Sequence, residues 1–136
     1  MEKENPARAI RRFALTSVAL LSILGSAAIA ANTPEVPLID GGLGTCSVNF
    51  TVTDSEKRPI YSAKIDVIVY YGFMRLHKTE LQIGTNSEGK ARVIGLPEKV
   101  KKPLEFHITS GLLSKTIMHN PSTKCDAAIE VALGTK

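Results

Sequence analysis

The 136-residue sequence has no tryptophan, only two cysteines, and just three Tyr and four Phe. A sugar-stacking platform usually includes tryptophan, so carbohydrate is a weak candidate ligand. Two cysteines without C-x-x-C spacing give no sign of dithiol exchange. The chain has no G-x-S-x-G elbow, no P-loop and no dinucleotide glycine motif, so the usual marks of serine hydrolases and nucleotide enzymes are missing. No segment beyond residue 31 carries an apolar stripe of 3.6-residue period, so amphipathic helices are not expected there. Charge is also absent from Phe13 to Ala31.

That uncharged stretch follows a basic segment with Lys3, Arg8, Arg11 and Arg12, and it contains the small-residue triplet Ala28-Ile29-Ala30. This order reads as a helical secretory signal peptide over residues 1–30, cut between Ala30 and Ala31. The alternative is an uncleaved membrane anchor, since 19 uncharged residues just reach across a bilayer. The small residues before the junction favour cleavage, and the surroundings of Arg11-Arg12 fit a twin-arginine signal poorly. The expected address is the periplasm or the extracellular space, with no membrane span after cleavage. The leader holds four of the 17 Lys and Arg and two of the 13 Asp and Glu, which leaves 13 against 11, a net of +2. The basicity that would suggest nucleic acid thus mostly disappears, and no such partner is expected.

An exported chain meets an oxidising environment, and its two cysteines allow one bridge, Cys46–Cys125. Cys46 is in phase with Val48, Phe50 and Val52, and Cys125 with Ala127, Ile129, Val131 and Leu133. Each cysteine is therefore placed on an inward face at a strand start. Two separately buried thiols are the alternative. Between these ends the two-residue period recurs at Ala63–Tyr71, Leu81–Ile83, Ala91–Val93, Leu104–Ile108 and Ser114–Met118. Residues 31–43, with Pro34, Pro37, Gly41 and Gly42, read as a linker or flexible arm. Residues 44–136 then form one all-β domain, a seven-stranded antiparallel Greek-key sandwich.

Val52-x-Asp54-x-x-x-x-Pro59, followed by Ala63-x-Ile65, resembles the opening of the carboxypeptidase regulatory-like domain, a transthyretin-like or Ig-like sandwich. Thr85-Asn86-Ser87-Glu88-Gly89-Lys90, then Val93 and Leu96-Pro97, is similar to the second half of that signature, so the likeness spans residues 46–133. Three positions depart from it: Lys57 and Ser62 stand where the family favours glycine, and Asn86 where it favours Asp. The resemblance implies an accessory module without catalysis of its own, working beside another envelope or extracellular protein.

No catalytic residue, metal site or cofactor is expected. His77, His107 and His119 have no ligand spacing, and the carboxylates are scattered singly. Tyr70, Tyr71, His77 and His107 match an intradiol-type iron set in residue type only. The competing reading is a small periplasmic hydrolase or metal-dependent enzyme built from His77, His107 and nearby carboxylates. A binding surface has more support. Ile68-Val69-Tyr70-Tyr71-Gly72-Phe73-Met74 is apolar on both faces of its strand, so Ile68, Tyr70, Phe73 and Met74, with Arg75 beside them, form the candidate partner surface. The arm folding over this face, or a bent strand burying it, is the alternative. A second patch, Lys99, Lys101 and Lys102 with Lys57 and Arg58 near it, suits an anionic envelope polymer or plain solvation.

Overall fold

A computed structural model describes residues 32–134; the expected signal peptide and its Ala30–Ala31 junction lie outside them. Segments with alternating Val, Ile and Phe extend as strands because a pleat sends successive side chains to opposite faces, one of which can be buried. Eight strands result: β1 (Leu38–Asp40), β2 (Cys46–Asp54), β3 (Lys64–Tyr71), β4 (His77–Gly84), β5 (Lys90–Leu96), β6 (Leu104–Ser110), β7 (Leu113–His119) and β8 (Asp126–Leu133). They form two four-stranded sheets, ordered β1-β5-β2-β8 and β4-β3-β6-β7. Phe50 and Phe106 meet between the sheets with ring centroids 5.0 Å apart, amid Val48, Val52, Ile65, Val67 and Ile108.

The all-β sandwich agrees with the expectation, with two corrections. The first is the strand count, eight instead of seven. The extra strand lies in the segment expected to be a linker or flexible arm: β1 pairs in parallel with β5. On either side of it, Arg92 N donates to Pro37 O at 2.8 Å and Gly41 N to Ile94 O at 2.9 Å. Without β1 the edge of β5 would present unpaired backbone groups, and docking the arm satisfies them. The second correction concerns direction. The β4-β3-β6-β7 sheet is antiparallel throughout, but β2 and β8 run parallel from Ser47↔Asp126 to Asp54↔Leu133, so the other sheet is mixed. Alternation reports which face a residue takes and is silent on strand direction.

The parallel pairing brings the starts of β2 and β8 together. Cys46 and Cys125 form a disulfide there, with Cα atoms 4.6 Å apart. Beside it, Ser47 N donates to Cys125 O at 3.0 Å, and Ser47 Oγ to Asp126 Oδ1 at 2.8 Å. The β2–β5 register slips between Cys46↔Leu96 and Val48↔Val93. This bulge lets Val93 and Leu96, of opposite parity, both enter the core. It is made at Gly95, whose φ of +70° suits glycine and where a Cβ would meet Asp40 Oδ1.

The opposite end of the sandwich carries one turn built twice. In Asp54–Arg58, Asp54 Oδ1 accepts from Glu56 N at 2.8 Å and Arg58 N at 2.9 Å. In Asn86–Lys90, Asn86 Oδ1 accepts from Glu88 N at 2.9 Å and Lys90 N at 3.0 Å. Backbone bonds match as well: Asp54 N reaches Arg58 O, and Asn86 N reaches Lys90 O. The fourth residue lies at positive φ in both, Lys57 at 64° and Gly89 at 72°. Asp54 is held below its ordinary 3.8, chiefly by the Arg58 backbone N–H, with the Glu56 N–H and the Arg58 guanidinium adding to it against some desolvation.

Candidate functional site

Strand β3 is paired along its whole length on one side and along only half on the other. Against β4 the ladder runs from Lys64↔Gly84 to Tyr71↔His77. Against β6 it runs from Lys64↔Thr109 and stops at Val67↔Phe106. Beyond that point β6 stays with β7, through Glu105↔Met118 and Leu104↔His119, while β3 continues to Tyr71 paired with β4 alone. A groove of about 430 Å³ lies in the resulting gap, lined by Ile68, Tyr70 and Arg75 from one side and by Lys99, Lys101 and Lys102 from the other. Val100, Leu104 and Met118 supply further apolar lining.

The sequence sets both walls. On the outer face of β3, Ile68 is 43% exposed and Tyr70 46% exposed, where charged residues would ordinarily stand. The Arg75 guanidinium lies 5.0 Å over the Tyr70 ring, a cation–π contact that fixes both groups. Lys78 stands opposite Tyr70 on β4, and the Glu80 carboxylate, 3.1 Å from its ammonium, raises its pKa. The 97–103 segment follows β5, tied down where Val100 N donates to Ser122 Oγ at 2.9 Å. Among the described residues Arg75, Lys99, Lys101 and Lys102 make no ion pair, whereas Arg58, Lys64, Lys78 and Lys90 do.

The β3–β4 connection adds a projecting tip. Phe73–Arg75 is a single 3₁₀ turn after Gly72, which sits at φ 82°. Met74 and Arg75 also lie at positive φ, 54° and 57°. Two successive non-glycine residues in that region cost about 1–2 kcal/mol each. Such strain persists only where the surroundings impose it, and it concentrates at working sites. Here it points Phe73, 82% exposed, and Met74, 71% exposed, into solvent. Leu76 is exposed beside them, and the Tyr71 and His77 rings stack at 5.5 Å below the tip.

The candidate surface thus divides. Ile68, Tyr70 and Arg75 line the groove, while Phe73 and Met74 crown the hairpin next to it. The described arm leaves this face uncovered, because it occupies the edge of the other sheet. Lys99, Lys101 and Lys102 join the same groove, which unites two patches that look separate in the sequence. Lys57 and Arg58 do not join them: they lie past the far end of β2, about 30 Å away along a nine-residue strand. Met118, Val100 and Leu76 escaped sequence reading, although Met118 in phase with Ser114 and Thr116 was a legible signal for an outward apolar residue.

The two histidines of the enzyme reading are held apart, His77 opposite Tyr71 and His107 opposite Asp66, five residues along β3. His77 stacks on Tyr71, and Tyr70 is covered by Arg75. His107 Nδ1 lies 3.1 Å from Thr116 Oγ1 and its Nε2 3.7 Å from Glu105 Oε1. His119 is half-buried at the end of β7. Among the described residues no group of three or more His, Cys, Asp or Glu converges. No described helix is long and apolar enough to cross a membrane; this and the disulfide are compatible with export.

No family model and no curated protein matches the sequence. Among solved structures, one of a catechol dioxygenase shares its fold. Catechol 1,2-dioxygenase from Pseudomonas arvilla C-1 superposes with a TM-score of 0.52 at 13% identity, over 75% of this chain and 59% of that one. 3-Chlorocatechol 1,2-dioxygenase from Rhodococcus opacus 1CP gives a TM-score of 0.48 at 14% identity, over 78% and 68%. At such identities the likeness to the Pseudomonas enzyme shows a common sandwich and nothing about chemistry, and this chain spans about three fifths of that enzyme's length.

Proposed function

We propose that this chain is an exported, non-catalytic β-sandwich module of carboxypeptidase regulatory-like type, which engages another protein through the β3–β4 hairpin and the groove beside it. One observation carries the reading: exposed apolar side chains are concentrated on a strained hairpin, next to Arg75, Lys99, Lys101 and Lys102, none of them ion-paired among the described residues. A soluble domain gains nothing by holding Phe73 and Met74 in water unless a partner covers them. Aromatic and arginine side chains are also the commonest anchors of protein interfaces. The module type draws support from the positive φ at Lys57 and Ser62, the two positions where the resemblance expects glycine.

The test is a photo-crosslinking amino acid placed at Met74 in the full chain, in the cell that makes it, with a second placement at Glu130 on β8 as a control. A protein adduct is expected from position 74 and not from position 130. It should be lost when Tyr70→Ala and Phe73→Ala are combined, in a variant whose unfolding midpoint is unchanged. Equal adducts from both positions, or an adduct indifferent to the double substitution, would refute the reading.

A further inference from the structure

The groove has a feature that apolar exposure alone does not explain. Over Ile68–Tyr71, β3 has a strand on its β4 side and none on its β6 side. That side is an open half-edge, with backbone N–H and C=O groups facing the gap at strand spacing. The open length is four residues, the apolar groups along it are Ile68, Tyr70 and Met118, and the far wall is cationic.

We infer that the groove takes an acidic peptide segment of another protein in extended conformation, which pairs with the open half-edge of β3 as an added strand. This deepens the proposed function and rests on it. The backbone edge calls for a peptide, since strand addition draws its affinity from main-chain hydrogen bonds. The charge calls for an acidic one: Arg75, Lys99, Lys101 and Lys102 face the groove against Glu105 as its single carboxylate. Alternate side chains of an added strand point to opposite sides. Outward side chains of the segment lie beside Ile68, Tyr70 and Met118, on the face where Arg75 stacks over Tyr70. Apolar groups pack there and a carboxylate meets Arg75, while carboxylates at the segment's end reach the lysines of residues 97–103. Beyond the groove the partner continues over Phe73 and Met74. The opening is limited to a half-edge at the end of one strand, which restricts endless edge-to-edge growth while leaving room for a short segment.

The probe is a library of peptides about ten residues long, combining Glu or Asp with Val, Ile, Leu or Phe in varied order, presented to protein recovered from expression of the full chain. A matched library with Lys and Arg in place of the acids serves as control. Members of the acidic library should be retained and the basic library should not. Retained peptides should protect the amides around Ile68–Tyr71 from hydrogen exchange. Lys101→Glu with Lys102→Glu, on an exposed loop, should weaken them at least about tenfold, while Lys115→Glu on β7 leaves them unchanged. N-methylation of alternate peptide nitrogens should abolish binding. Retention of N-methylated peptides, or equal binding of polyglutamate or a sulfated polysaccharide, would overturn strand addition in favour of a simple polyanion site. An acidic library with no retained member would overturn the inference outright. In either case, a persistent adduct from position 74 would leave the protein-binding function standing, so the two failures are distinguishable.

Discussion

Lys57 and Gly89 occupy the same slot in two copies of one turn, at φ 64° and 72°. The lysine bears the Cβ penalty of that conformation, about 1–2 kcal/mol, and glycine there would be offset in part by the looser unfolded chain, about 0.4–1 kcal/mol. Lys57→Gly is therefore expected to stabilise by about 0.5 kcal/mol. Gly89→Ala goes the other way, by about 2 kcal/mol or more, because its Cβ would meet Val52 O as well as suffer the strained φ. Urea unfolding of the two variants checks both signs, and a destabilised Lys57→Gly would contradict the shared geometry. His119 is the other residue with a sign to work out. Its Nε2 is buried without a hydrogen-bond partner, and burial holds its pKa below the ordinary 6.5. A Lys124 backbone group opposes the shift, and the Lys124 charge adds to it. Between the native and unfolded values the unfolded chain binds more protons. The contribution is thus complete above about pH 6.5 and is lost as pH falls through the native pKa. Stability measured from pH 7.5 down to 5 should decline, and His119→Gln should flatten that decline.

Among the elements, β2 and β8 carry the covalent tie. Closing a 79-residue separation stabilises by about 4 kcal/mol in the chain-entropy model. Reduction, or Cys46→Ala with Cys125→Ala, should lower the unfolding free energy by about that amount in a denaturant series. A loss under about 1 kcal/mol would mean that the reduced chain keeps the two strand starts together unaided. The seven longer strands were legible because each buries one face and alternates. The parallel pairing was missed, although the cysteine positions bear on it. Two cysteines at two strand starts bond across neighbouring strands only if those strands run the same way. β1 was not legible, since Leu38–Asp40 is too short to show a period and two prolines flank its entry. The bulge at Gly95 was hidden for a similar reason: Val93 and Leu96 break alternation, and one glycine between them does not announce a register slip.

At the scale of the whole molecule the two ends of the sandwich differ in kind. One end carries the paired Asp54 and Asn86 turns, and the other gathers the disulfide, the 97–103 segment and the groove. Net charge gave little warning of this, because 13 Lys and Arg against 11 Asp and Glu over residues 31–136 conceal a local excess of cations. Both halves of the candidate site appeared in the sequence, as an apolar run around Tyr70 and as a lysine cluster near residue 100. Their meeting did not, since it depends on β3 and β6 parting beyond the Val67↔Phe106 pair. Which lysines belong was likewise a matter of topology: Lys57 is a lysine like Lys99 and lies at the wrong end. The disulfide also decides how this body would carry tension. A pull between the arm and the far end of β8 crosses from Cys46 directly to Cys125. Residues 47–124 lie inside the covalent loop and bear none of the load, which keeps about 270 Å of contour out of reach. Under force the oxidised protein behaves as a short link with a folded body hanging from it, and the groove stays intact while the chain on either side is stretched.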